Sequence, residues 1–300
     1  MCVKFLNYLF VITLLVSVSC SNHQADKPKN DLDQWKLRGP VKVVTETNFA
    51  ESGKYLTIVT FTKDGNVLEQ SSFNPDGSLI RKWKYNYNSQ NQKQKRYCYV
   101  LHDSLSYIFN YYYNTQGNLI ATRISNRDTT SQLRTSIYYD GYQNNIEENS
   151  FGPKLNLELQ IKHQYDNHHR VIEEVFVDSV NHHQWKQIHS YHVNGNDEEI
   201  ADFSFKNDFL KRETFIYSRK NLPLVVCSYD PDNRLVSKIS YKYNKLGDVT
   251  EIIKSKTSDN QHEIKLFKYT YDKNGNWTFL SEYNNQKLES LMTRKLEYFK

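Results

Sequence analysis

"YYYNTQGNLIATRI", residues 111–124, places three tyrosines before a polar turn that holds a glycine, then restarts on a β-branched run. The same grammar returns at a fixed spacing. Steps of 26 residues forward from Tyr113 reach Tyr139, Tyr165, Tyr191, Tyr217 and Tyr243, and steps back reach Tyr87 and Phe61. Two residues before these aromatics stand Val59, Tyr85, Tyr111, Ile137, His163, His189, Phe215 and Tyr241. Four residues after them stand Gly65, Asn91, Gly117, Gln143, His169, Gly195, Asn221 and Gly247. A further copy, "YDKNGNW", begins at Tyr271 after an insertion of two residues. Self-similarity at such a period means one supersecondary unit used many times.

Each unit carries a second turn near its middle, clearest in "FNPDGSL" from Phe73, "SYDPDNRL" from Ser228 and "EYNNQKL" from Glu282. The unit therefore reads strand, turn, strand, turn. Removing two turns leaves strands of about eight residues, roughly 26 Å long at ~3.3 Å per residue. Alternation agrees: Trp83, Tyr85 and Tyr87 share one face, while Lys82, Lys84 and Asn86 share the other. Asp, Asn and Gly at the turns supply the positive φ angles of tight hairpins, which favours an antiparallel meander over a parallel solenoid. The expectation is all-β: a repetitive meander of about 18 strands, in a strongly twisted or curled sheet, because so wide a sheet does not stay flat. The segment 288–300, "LESLMTRKLEYFK", reads as a charged closing strand that blunts the last edge.

The first 20 residues, "MCVKFLNYLFVITLLVSVSC", hold one Lys, an apolar run from Phe5 to Val18, then small residues and a Cys. The run is short for a membrane span and suits a signal-peptide core. Its ending resembles a bacterial lipobox, which implies lipidation of Cys20 and export to the cell envelope, with the outer membrane as the expected address. The expected organisation is a signal peptide over 1–19, a lipidated Cys and polar tether over 20–34, and one β-repeat domain over 35–300. Cys98 and Cys227 remain in the body, either as a pair or as two half-buried thiols.

The formal net charge of +5 over 300 residues suggests solubility and only a weak bias toward anionic partners. No Walker loop, G-x-S-x-G, H-E-x-x-H or C-x-x-C is present. His163 and His189 fill the slot that other units give to Tyr, Phe or Ile, so they read as residues of the repeat face. His168 with His169, and His182 with His183, fall in successive turns at opposite ends of the strands, too far apart for one metal site. The basic stretch "RKWKYNYNSQNQKQKR", with Arg81, Lys82, Lys84, Lys93, Lys95 and Arg96 among aromatics and no acid, reads as a solvated face or as a patch for an anionic ligand. For an exported protein an acidic glycan suits that patch better than a nucleic acid.

The motif aromatic–Asp/Asn–x–x–Gly–x–aliphatic, seen in "YNTQGNL", "YDPDNRL", "YNKLGDV" and "YDKNGNW", resembles the YD repeat of the Rhs family over roughly residues 55–300. The opening "WKLRGPVKVVTETNF", residues 35–49, is similar to the start of small YD-repeat lipoproteins of Bacteroidetes-type bacteria. The resemblance implies a long antiparallel sheet that curls toward a shell. The chain lacks the size and the C-terminal toxin region of large Rhs proteins, so enclosing a toxin is not expected of it. The expected function is a non-catalytic, cofactor-free binding or scaffold module, held to the membrane by its anchor, for an envelope protein or glycan. A polysaccharide hydrolase or lyase and a toxin-related or immunity role are the alternatives.

Overall fold

The structure, a computed structural model, describes residues 30–50, 53–100, 103–127, 131–193, 195–258 and 262–300. Cys20 and the signal-like segment lie outside the described residues. A one-turn helix α1 (Asp31–Gln34) precedes twenty strands. They are β1 (Val41–Ala50), β2 (Gly53–Phe61), β3 (Val67–Phe73), β4 (Leu79–Tyr87), β5 (Lys93–Val100), β6 (Ser104–Tyr113), β7 (Leu119–Asn126), β8 (Ser131–Tyr139), β9 (Asn145–Phe151) and β10 (Leu157–Tyr165). Then follow β11 (Val171–Asp178), β12 (His183–Tyr191), β13 (Asp197–Ser204), β14 (Phe209–Tyr217), β15 (Pro223–Tyr229), β16 (Leu235–Tyr243), β17 (Val249–Lys256), β18 (His262–Tyr271), β19 (Trp277–Asn284) and β20 (Lys287–Tyr298).

Every neighbour in sequence is an antiparallel neighbour in space, and β1 also pairs with β20 from Val41↔Tyr298 to Phe49↔Leu291. The sheet is thus a closed barrel. This corrects the expectation of a twisted or curled sheet, while the antiparallel meander stands and the count of about 18 strands is close to the twenty observed. It also corrects the reading of residues 288–300, because β20 is hydrogen-bonded on both sides and blunts no edge. Closure satisfies the backbone groups that an edge would leave free.

The turns explain the repeat. Asn114 N–H donates to Asn118 O at 2.9 Å and Gly117 N–H to Asn114 O at 3.0 Å. The same pair of bonds closes the turns at Asn88, Asp140, Asp166, Asn244 and Asp272. Each is a type I turn followed by one left-handed residue and a bulge. Gly117 sits there at φ 86°, Gln143 at 67° and His169 at 60°. Asn or Asp opens the turn because its side chain accepts from the tip: Asn114 Oδ1 takes Gln116 N–H at 3.1 Å and Asn118 N–H at 2.8 Å.

The repeat tyrosines close the same rim from inside. Tyr87, Tyr113, Tyr139, Tyr165 and Tyr243 donate their hydroxyls to Val67, Lys93, Leu119, Asn145 and Pro223 carbonyls at 2.6–2.9 Å. Tyr191 does so to Val171. Each acceptor opens the neighbouring strand, 20 residues earlier. After the insertion the ladder continues on Tyr269, which donates to Val249 O at 2.9 Å. Tyr271, the residue the motif aligns, instead donates to the Asp248 carboxylate at 2.7 Å. Tyr298 makes the corresponding contact with Asp272.

The polar stretch read as a tether ends in structure. Asn30 caps α1 by accepting from Asp33 N–H, and the segment to Arg38 lodges in one mouth of the barrel. Leu32, Leu37, Val41, Val44, Val59, Phe61 and Val67 form the core cluster there, with Trp35 edge-on to Phe61 at 6.3 Å. Asp31 accepts from Val67 N–H at 2.8 Å, Tyr87 Oη at 3.0 Å and Lys93 Nζ at 2.9 Å. Arg38 reaches the other way, to Gly275 O and Leu246 O. The segment therefore straps the β20–β1 seam from the β4–β5 turn to the β16–β17 turn.

Candidate functional site

Directly opposed residues of an antiparallel pair share a face. Val44↔Val59↔Gln70↔Trp83↔Cys98↔Tyr107 traces one face across six strands. Leu296↔Val44 joins it across the seam. This face carries α1, the repeat tyrosines and the cluster of buried residues, so it is the concave inner wall. Most of its large side chains, including Trp83, Phe109, Tyr111, Phe176 and Phe215, keep partial exposure. The wall therefore lines a hollow lumen away from the plugged mouth.

The register divides the basic stretch. Arg81 and Arg96 point inward, on the face of Val100, Trp83 and Tyr85. Lys82, Lys84 and Lys95 point outward. Lys82 pairs with Asp103, and Lys84 lies 3.5 Å from Glu69. Lys93 sits at the rim on Asp31. A single six-residue patch does not form.

What forms instead is an inward cationic and aromatic site on β4–β6. The Arg96 guanidinium is 4.4 Å from the Trp83 ring centre and 4.1 Å from that of Phe109. Arg81 approaches the same Trp83 at 5.6 Å. Trp83 and Phe109 meet edge-on at 5.7 Å. Burial, offset in part by Arg96, pushes the Tyr85 hydroxyl up to about 12. The inward positions of β4–β8 hold no Asp or Glu. Cys98 lies beside the arginines as a free, buried thiol raised by burial, while Cys227 on β15 is also free, so no disulfide joins them.

A second inward group lies on β9–β13. Glu174, 2% exposed, faces His163 Nδ1 at 3.0 Å and His189 Nε2 at 3.2 Å. His189 Nδ1 meets Asp197 at 3.3 Å. Burial opposes charge on His189, but Asp197 and Glu174 outweigh it and hold its pKa at about 9. Burial likewise opposes charge on Glu174, and the two imidazoles outweigh it and lower its pKa. Glu148 on β9, next to the His163 strand, is raised by burial. Phe176 and Trp185 stack at 4.9 Å on the same wall. His168–His169 and His182 do occupy turns at opposite rims. Among the described residues no three His, Cys, Asp or Glu side chains converge as metal donors do. Sequence reasoning missed Glu174 and Phe109, because only register reveals what faces His163 and Arg96.

No family model matches this chain, and no curated protein matches it. Among solved structures it is similar to the Tc holotoxin pore of Photorhabdus luminescens, at 11% identity and TM-score 0.43, covering 75% of this chain and 14% of that one. A TcdB2-TccC3 structure is similar at 13% identity and TM-score 0.42, covering 78% and 15% of the two chains. A porin-like protein from Bacteroides uniformis gives 12% identity and TM-score 0.35, covering 90% and 100%. The chain thus spans about a seventh of the toxin chains it is similar to.

Proposed function

We propose that this chain is a cell-envelope lipoprotein whose barrel stands in water on its N-terminal anchor and binds a partner without chemistry. Its inner wall takes an acidic glycan, or an acidic segment of an envelope protein. One observation carries the reading: Arg81 and Arg96 face the lumen within an aromatic frame, on a sector of wall with no inward carboxylate. A guanidinium held flat between rings is prepaid in entropy and matches a carboxylate or phosphate, while neighbouring rings suit the apolar face of a sugar.

The outer face supports the aqueous setting. Lys84, Lys162, Lys238, Lys268 and Lys295 project outward from within strands and are exposed. A basic side chain held against lipid at mid-bilayer costs about 2–4 kcal/mol, so a transmembrane barrel would not place a row of them there.

The test is a pull-down from the solubilised envelope with lipid-free residues 21–300, identifying glycans and proteins in the eluate. Arg96→Gln should release a saturable partner, and Lys84→Gln, on the outer face, should retain it. Equal retention by both variants, or greater loss with Lys84→Gln, refutes a lumenal site.

A further inference from the structure

We infer that the rim carrying the N-terminal segment is a docking surface for an anionic lipid surface. Three features lie on this rim. The first is the tips of the turns. Hairpin geometry forces the second and third turn residues into solvent, and on this rim those positions carry Lys63, Arg219, Lys220, Lys245 and Lys273, all exposed. Exposed Lys36 of the N-terminal segment lies beside them. The carboxylates beside these tips are engaged: Asp272, which opens its turn, accepts from Asn274 and Asn276 N–H, and Asp248, which ends the turn opened by Asn244, accepts from the Tyr271 hydroxyl. Asp33 and Asp64 are the exposed acids of this sector.

Among the described residues the opposite rim mixes the two signs, with Asp76, Asp103, Asp208 and Asp232 among Arg127, Lys154, Lys206, Arg234 and Lys287. Charge thus differs between the two ends of the barrel, although both are built from the same kind of turn.

The second feature is an apolar shelf just outside the same rim. On the β6–β9 arc Tyr112 and Tyr138 project outward, the bulge residues Ile120 and Ile146 beside them are exposed, and Tyr142 stands 77% exposed at a turn tip. Tyrosine suits the headgroup layer because its ring and hydroxyl prefer opposite environments. The third is the position of the chain. Asn30 Nδ2 donates to Asp64 O, which fixes the first described residue at this rim. The ten Cα-to-Cα steps from Cys20 to Asn30, across nine intervening residues, span at most about 35 Å, so a lipid on Cys20 keeps this rim within reach of the bilayer. Basic residues near an anionic surface act additively, each by about one kcal/mol.

Residues 21–300 retain all twenty strands and the core cluster, so they serve lipid-free for the test. The protein is sedimented with vesicles of phosphatidylcholine alone, or mixed with phosphatidylglycerol. Binding is expected to the mixed vesicles only and to weaken with salt. The combined Lys63→Gln, Arg219→Gln, Lys245→Gln and Lys273→Gln variant should lose at least about 100-fold in partitioning. Lys154→Gln with Lys206→Gln, at the other rim, should lose nothing. Circular dichroism and melting confirm that each variant folds. Equal binding to neutral vesicles, absence of binding to mixed ones, or an equal loss from the other rim overturns the inference.

Discussion

Replacing His189 with Gln should flatten the barrel's stability profile on the alkaline side of neutrality. In the fold His189 lies between Glu174 and Asp197, and its pKa stands at about 9 against an ordinary 6.5. A group whose folded pKa is raised stabilises the fold in full below its unfolded pKa. That contribution is lost as pH climbs through the folded value. The window is therefore from 6.5 to about 9. The rise corresponds to roughly 3 kcal/mol at 1.36 kcal/mol per pKa unit, and coupling of His189 to Glu174 and Asp197 brings the expected loss to about 2–3 kcal/mol. Glu174, lowered by the same imidazoles, acts on the other side: its share is present above its ordinary 4.5 and is lost in acid. The assay is urea unfolding followed by tryptophan fluorescence at pH 6 and pH 9.5. Wild type should lose about 2–3 kcal/mol more between those pH values than His189→Gln. Parallel profiles for the two proteins would refute the reasoning, because titrations shared by both cancel in the difference.

Asp31→Ala should destabilise by about 2–4 kcal/mol, since it strands the Val67 N–H and the Lys93 ammonium; urea midpoints measure this, and a neutral result would deny that α1 straps the seam. Tyr139→Phe should cost about 1 kcal/mol, one hydroxyl bond to Leu119 O, with no change in the circular dichroism spectrum. Leu155→Gly should raise the melting temperature, because Leu155 holds φ 61° at an exposed turn tip where a branched side chain is strained by about 1 kcal/mol. Cys98 should resist a water-soluble alkylating reagent in native protein while Cys227 reacts faster, as counted by mass spectrometry, because Cys98 is 3% exposed.

The repeat and its chemistry are local, and the sequence by itself determined them. Asn114, Gly117 and Tyr113 are close in the chain, and turn geometry, left-handed φ and strand alternation act over just such distances. The two-residue insertion before Tyr271 was legible too, although the hydroxyl ladder passed to Tyr269 because its spacing of 26 residues from Tyr243 was preserved.

Closure was decided by the tertiary structure. It depends on twist accumulated over twenty strands and on β1 meeting β20, whose paired residues Glu46 and Arg294 lie 248 positions apart. No local window contains that sum. The sites followed from it. Period-two alternation divides Arg81 from Lys82 but does not say which face is concave, and closure turned Arg81 and Arg96 into the lumen while leaving Lys82, Lys84 and Lys95 on the outer face. His163, Glu174 and His189 are likewise one group only because cross-strand register, not sequence spacing, sets them opposite one another.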